Sequence, residues 1–136
     1  MSSEKVIKKQ KNPFQDNAKN ILEEFIKYYY DCLNNKNFNE LIKFYKKFSE
    51  IIFDSVLYKG ETLQNLFMLL QENNIKYTIK TIDYLMSGNH RMNILVTGTI
   101  TVNDNISKLF TEYLHFGTCK DNVHGYWIQS SIFRSI

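Results

Sequence analysis

The spacing of apolar residues along this chain changes once, near Ile75. Before that point apolar side chains recur every three or four residues; after it they alternate with polar ones. In AKNILEEFIKYYYDCLNN, residues 18–35, Ile21, Leu22, Phe25, Ile26, Tyr29 and Leu33 fall on one face of a helix. Pro13 precedes that helix, and Asp16 or Asn17 is placed to cap it. NKN at 35–37 breaks the pattern. FNELIKFYKKF, residues 38–48, then predicts a second, shorter helix with Phe38, Leu41, Ile42 and Tyr45 inward. SEIIFDSVLYKG, residues 49–60, is β-branched and aromatic and predicts a strand, a tight turn at Asp54–Ser55 and a short return strand. Gly60 lets the chain turn into a third helix, ETLQNLFMLLQEN, whose inner stripe is Leu63, Leu66, Phe67 and Leu70 and whose end is marked by Asn73 and Asn74.

Four long strands follow, separated by the turn-forming stretches SGNH, NDN and CKDN. Helices first and sequential strands last predict an α+β fold, with three N-terminal helices on one face of a mostly antiparallel sheet. In NILVTGTITV, Ile94, Val96, Ile100 and Val102 share the helix-facing side, and Gly98 between them predicts a bend or bulge. Leu95, Thr97, Thr99 and Thr101 take the other side, joined by either Tyr113 and His115 or Phe110 and Phe116 of the next strand. On the last strand, strict alternation puts Tyr126, Ile128 and Ile132 on one side and Trp127 and Phe133 on the other. That strand is apolar on both faces. A threonine and aromatic face opposite the helices is too apolar for plain solvent and suits the sheet of a second copy. Thr97, Thr99, Thr101 and Trp127 are the expected dimer face.

At 136 residues the chain has room for one domain with a single core. The expected division is a disordered basic leader over 1–14 and a folded domain over 15–136. The 15% aromatic content is high and fits an aromatic-lined cavity, a sticky surface or packed aromatic side chains. The net charge of +3 belongs to the leader, where Lys5, Lys8, Lys9 and Lys11 outnumber Glu4. The rest is balanced, with 13 basic and 13 acidic side chains. A neutral body is a poor electrostatic trap for nucleic acid, so no specific nucleic-acid partner is expected. Cys32 and Cys119 stand apart without CxxC spacing. The first residues hold no apolar signal segment, and no run of about 18 apolar residues occurs. The reading is an intracellular chain with reduced cysteines and no membrane partner.

Catalytic chemistry needs a constellation, and little of one is visible. His90, His115 and His124 are scattered, and there is no HExxH, CxxC or ligand-spaced acidic cluster, so neither metal nor cofactor is expected. Phosphate-cradling GxGxxG and GxxxxGK[ST] and the nucleophile pattern GxSxG are missing too. The best candidates are Asp83 and Tyr84 with Tyr113 and His115, gathered in an apolar pocket that would raise the Asp pKa toward that of a general base. The favoured alternative has Asp83 in solvent and the tyrosines in the core, which makes the chain a non-enzyme.

Several strings, in order and at near-equal spacing, resemble the nuclear transport factor 2 family. They are FIKYYYDCLNN, SVLYKG before the third helix, ILVTGTITVNDN, KLFTEYLHFG and GYWIQSSIFRSI. The resemblance runs from about Phe25 to the C-terminus. It implies a cone of three helices on a strongly bent sheet enclosing an apolar cavity, and a dimer formed through the open sheet face. It also implies transport between cytoplasm and nucleus, at the nuclear pore and envelope, by binding GDP-bound Ran and phenylalanine–glycine nucleoporin repeats. Other members act as adaptors, one as the heterodimer partner of an mRNA-export receptor, and distant relatives are small-molecule isomerases and dehydratases. Carried over by position, Asp54 falls on an acid that meets basic side chains of Ran. Phe53 falls on a tryptophan of the cavity mouth that also serves repeat binding, and Ile132 and Phe133 fall on cavity-lining positions. The family's namesake has an acidic triplet at the NDN turn; here Asn103 and Asn105 leave only Asp104. Ser130 and Ser131 stand in place of an Asn-Asp pair.

Overall fold

A computed structural model describes residues 13–86, 91–119 and 122–136. The leader through Asn12, the SGNH turn with His90, and Lys120 and Asp121 of the CKDN turn lie outside the described residues, as do the side chains of Cys119, His124 and Tyr126. The chain divides into two compact units, residues 1–31 and 32–136.

The first unit contains most of helix α1, Pro13–Asn34. The helix starts ahead of the expected caps Asp16 and Asn17, because proline's fixed φ and missing N–H suit a first helical position. Leu22, Ile26 and Tyr29 of the predicted stripe are buried, joined by Tyr30, and Phe25 is half-buried, while Glu23, Glu24 and Lys27 are exposed.

The second unit begins where α1 ends. Lys36 takes a left-handed φ of 57°, and the Asn37 N–H closes onto the Cys32 carbonyl at 2.9 Å. The Lys36 ammonium reaches the Ile75 carbonyl, and burial followed by the charge of Lys76 lowers its pKa. The predicted second helix is shorter than its periodicity implies. Helix α2 is Phe38–Leu41, a 3-10 turn covers Ile42–Phe44, and strand β1, Tyr45–Phe53, begins four residues before the expected Ser49. Tyr45 has a strand partner waiting in Ile128, and that pairing overrides local helical spacing.

A hairpin joins β1 to β2, Val56–Lys59, through Asp54 and Ser55, both at positive φ as a two-residue primed turn requires. Helix α3, Leu63–Glu72, buries the predicted stripe Leu63, Leu66, Phe67 and Leu70 and stops at Asn73. Strands β3, Lys76–Met86, β4, Arg91–Val102, β5, Ile106–Cys119, and β6, Asn122–Ser135, complete the sheet. The six strands lie in the order β2-β1-β6-β5-β4-β3. Only β1 and β6 are parallel; the other pairs are antiparallel. The fold is α+β with a mixed, mostly antiparallel sheet.

Two irregularities decide which side chains share a face. Opposite Gly98 the β3 register shifts, so that Ile79 pairs with Gly98 and Thr81 with Thr97, leaving Lys80 as the extra residue of a bulge. A Cβ on Gly98 would lie 2.0 Å from the Thr78 carbonyl oxygen, so this close approach requires glycine. In β6, His115 pairs with Ser130 but Phe116 with Ile128, and Gln129 is the extra residue. The parity expected of β6 is broken there. Ile128, Ser131 and Phe133 share the buried side, while Trp127, Ser130 and Ile132 share the outer one. On β5 the buried set is Phe110, Glu112, Leu114 and Phe116; Tyr113 and His115 join Thr97 on the outer side.

Candidate partner-binding site

At one end of the sheet the β1–β2 turn, the close of α3, the start of β5 and the end of β6 surround a recess of about 330 Å³. Its walls include Val56, Tyr58, Leu69, Ile75, Ile100 and Val102, and its polar groups include Asp54, Asn73, Lys108 and Ser135. Behind it stands an aromatic stack. Phe53 lies face to face with Phe133 at 4.3 Å, Phe110 stacks on Phe133 at 5.3 Å, and Tyr77 meets both edge-on. Burial pushes the Tyr77 phenol pKa well above its usual range, and the nearby Glu112 carboxylate raises it further. Glu112 is itself buried on the inner face, beside Phe133 in the β5–β6 register.

Asp54 is the best-held acid of this end. Its carboxylate accepts from the Ser135 backbone N–H and from the Ser135 hydroxyl, both at 2.7 Å. Its own N–H donates to the Phe133 carbonyl at 3.0 Å. The turn therefore latches the end of β6. Asp104 sits at the tip of the NDN turn, where Asn103 and Asp104 both have positive φ. That turn docks on the end of α3, through the Asn103 N–H to the Asn73 carbonyl at 2.8 Å and the Asn74 amide to the Asp104 carboxylate at 3.2 Å.

Of the residues singled out by sequence, Phe53, Asp54 and Phe133 meet at this end, and Asp104 is tied to the asparagines beside it. Two placements correct the expectation. Phe53 is only 7% exposed and spends its ring on Phe133, so it presents little surface as an anchor for phenylalanine–glycine repeats. Ile132 does not line a cavity with Phe133; the β6 bulge turns it to the outer face, where it is 49% exposed. The contributions of Tyr58, Leu69 and Ser135 had no signal in the sequence, because each reaches the recess through long-range pairing.

The outer face is apolar and open. Thr97, Thr99 and Thr101 lie beside exposed Leu95, Leu109, Tyr113 and Ile132. Trp127 is on the same face but six residues further along β5 from the Thr97 row, about 20 Å away. It belongs to a different neighbourhood, with Phe48 and Lys46. Asp83, Tyr84 and Tyr113 do line one shallow recess of about 530 Å³, and His115 bonds through Nδ1 to Asn93, which lines it too. Asp83 is exposed there. Among the described residues no three His, Cys, Asp or Glu side chains cluster as metal ligands. No described helix is long and apolar enough to cross a membrane.

The strand order, the recess at the turn end and the open apolar face together define an α+β domain with a curled, mostly antiparallel sheet. Residues 21–135 match the family described as the nuclear transport factor 2 (NTF2) domain, and the chain belongs to that family. No curated protein sequence matches it significantly. Among solved structures it is similar to nuclear transport factor 2 from Cryptosporidium parvum, at 21% identity and a TM-score of 0.73 over 92% of this chain and 97% of that one. The yeast UBP3-associated protein BRE5 gives 19% identity and a TM-score of 0.75 over 88% and 96%. A putative scytalone dehydratase from Novosphingobium aromaticivorans gives 8% identity and a TM-score of 0.75 over 90% and 86%. At these identities the likeness is one of fold.

Proposed function

We propose that the chain is a non-catalytic transport factor that works as a dimer between cytoplasm and nucleus and binds GDP-bound Ran at the recess. The observation that supports this most is the combination of apolar walls with Asp54 in the recess and Asp104 on the NDN turn that docks beside it, suited to an apolar side chain flanked by a basic one. Asp54 holds Ser135 and shapes the rim, so the exposed Asp104 is the acid better placed to meet a partner's cation. An exposed pair contributes at most about 1 kcal/mol, so the apolar contact carries the affinity. Nucleoporin repeats would use exposed apolar surface near the hairpin, such as Val56 and Leu57, rather than Phe53.

Calorimetry with GDP-loaded and GTP-loaded Ran, at low and high salt, tests the reading. Binding should favour the GDP form. Asn103→Asp with Asn105→Asp should tighten it, Asp104→Lys should weaken it, and both effects should shrink as salt rises. Absence of binding by the parent and by the double Asp variant overturns it. The second reading is an adaptor subunit that binds another protein, including an mRNA-export receptor. Asn103 and Asn105 favour it, since they remove charge from the turn, and so does the likeness to BRE5, a fold seen in the yeast Ubp3 and Bre5 cofactor complex. The exposure of Asp83 weighs against an isomerase or dehydratase.

A further inference from the structure

Strand β1 carries an irregularity that the recess does not use. Tyr45 pairs with Ile128 and Glu50 with Ser130, so four residues of β1, Lys46–Ser49, stand against the single Gln129 of β6. The segment is held as a bulge by Ser49, which is buried. Its hydroxyl accepts from the Lys46 N–H at 2.8 Å and donates to the Ile128 carbonyl at 2.6 Å. Bulges of this kind re-aim side chains. Here the bulge throws Phe48 outward, 63% exposed, with Lys46 and Lys47 on the same short segment. Phe48 meets the Trp127 indole edge-on at 5.3 Å, and the Lys46 ammonium lies over that indole, 4.8 Å from its centre. The indole rests against Gly117, where a Cβ would come within 2.8 Å of the ring. A groove of about 930 Å³ runs alongside, walled by Ile42, Tyr45, Phe48 and Leu63.

We propose that this bulge and groove form a second docking site, separate from the recess, that takes an acidic peptide segment carrying an apolar side chain. Exposed aromatic residues beside a groove are the usual anchors of such contacts. Both charges on the bulge itself are positive, which selects carboxylates next to the anchor. Lys59 adds a third cation to the groove, while Glu50 and Glu61 line it as well and make it unfit for a polyphosphate backbone. The indole already carries Lys46 and lies on Gly117, so it is not an open platform for a stacked base. The peptide's apolar side chain enters beside Phe48, and its carboxylates meet Lys47 and Lys59.

Trp127 is the only tryptophan of the chain, so its emission reports this site directly. The full chain is titrated at low salt with a short Glu-rich peptide bearing one central leucine. The expected result is a saturable change in Trp127 emission that weakens as salt rises. It should weaken about tenfold with Phe48→Ser, with Lys47→Glu, or when the leucine is replaced by glycine. Both substitutions are at exposed positions, and unchanged thermal melting confirms that the variants fold. No saturable change, equal binding by Phe48→Ser, or equal binding of a Lys-rich peptide overturns the proposal. So does binding of oligouridine in place of the acidic peptide, which would make the surface a nucleic-acid site. Because Ran binding is read at the recess by calorimetry, the two readings fail separately.

Discussion

Tyr77 can stay in the core only while its phenol keeps its proton. Burial and Glu112 hold its pKa above the ordinary value of 10.0, whereas the unfolded chain releases that proton near the ordinary value. Above about pH 10 the unfolded state therefore binds fewer protons than the folded one, and stability falls as pH rises. The contribution is fully present below that pH. Urea midpoints measured across the alkaline range should decline more steeply for the parent than for Tyr77→Phe. Equal slopes would place the alkaline loss in other groups. Asp54 makes a second residue-scale case. Its carboxylate serves two donors of Ser135, so Asp54→Ala should cost about 2 kcal/mol and Ser135→Ala about 1 kcal/mol. Urea denaturation of the two single variants and the double variant should give less than the sum, since both changes remove the same hydroxyl bond.

At the scale of elements, what could be read from the chain was whatever depended on local spacing. The α3 stripe, the Asp54–Ser55 hairpin, the four long strands and the glycine bulge at Gly98 all follow from period and turn chemistry. Three things did not. The second helix gives way to β1 because a partner strand from the far end of the chain captures Tyr45. The faces of β6 exchange at Gln129, which no alternation rule anticipates, and this is why Phe133 rather than Ile132 shares the buried face with Ile128. The Lys46–Ser49 bulge depends on a serine bonding across to Ile128. Of the candidate site, Phe53 and Asp54 were legible, with Phe133 stacked behind them; Tyr58, Leu69 and Ser135 reach it only through tertiary pairing. The β3–β4 bulge gives the test at this scale. A methyl on Gly98 would strike backbone, not a movable side chain, so Gly98→Ala should destabilise by about 3 kcal/mol in urea melts. A loss under about 0.5 kcal/mol would mean that the sheet relaxes around it.

For the whole molecule, the open sheet face carries the dimer proposed above. Leu95, Tyr113 and Ile132 form one exposed apolar row beside Thr97, and a row of this kind seeks cover. Sedimentation at micromolar concentration should give about twice the 16.2 kDa chain mass. Ile132→Lys should halve it while leaving the thermal melt of the monomer cooperative, because the side chain is half exposed within one chain. A parent that sediments as a monomer would favour pairing with a different subunit. The sheet order has a further consequence, in time. The β1–β2 hairpin joins the other four strands only through β6, and partners such as Ile52 and Ile132 are 80 positions apart. During synthesis the first hairpin must wait, with the β1 edge bare, until β6 has left the ribosome. Closing so long a loop before any reward arrives makes the last strand's docking the slow step of folding. Until then the early hairpin is the segment most exposed to mispairing between nascent chains, and the one a chaperone would have to shield.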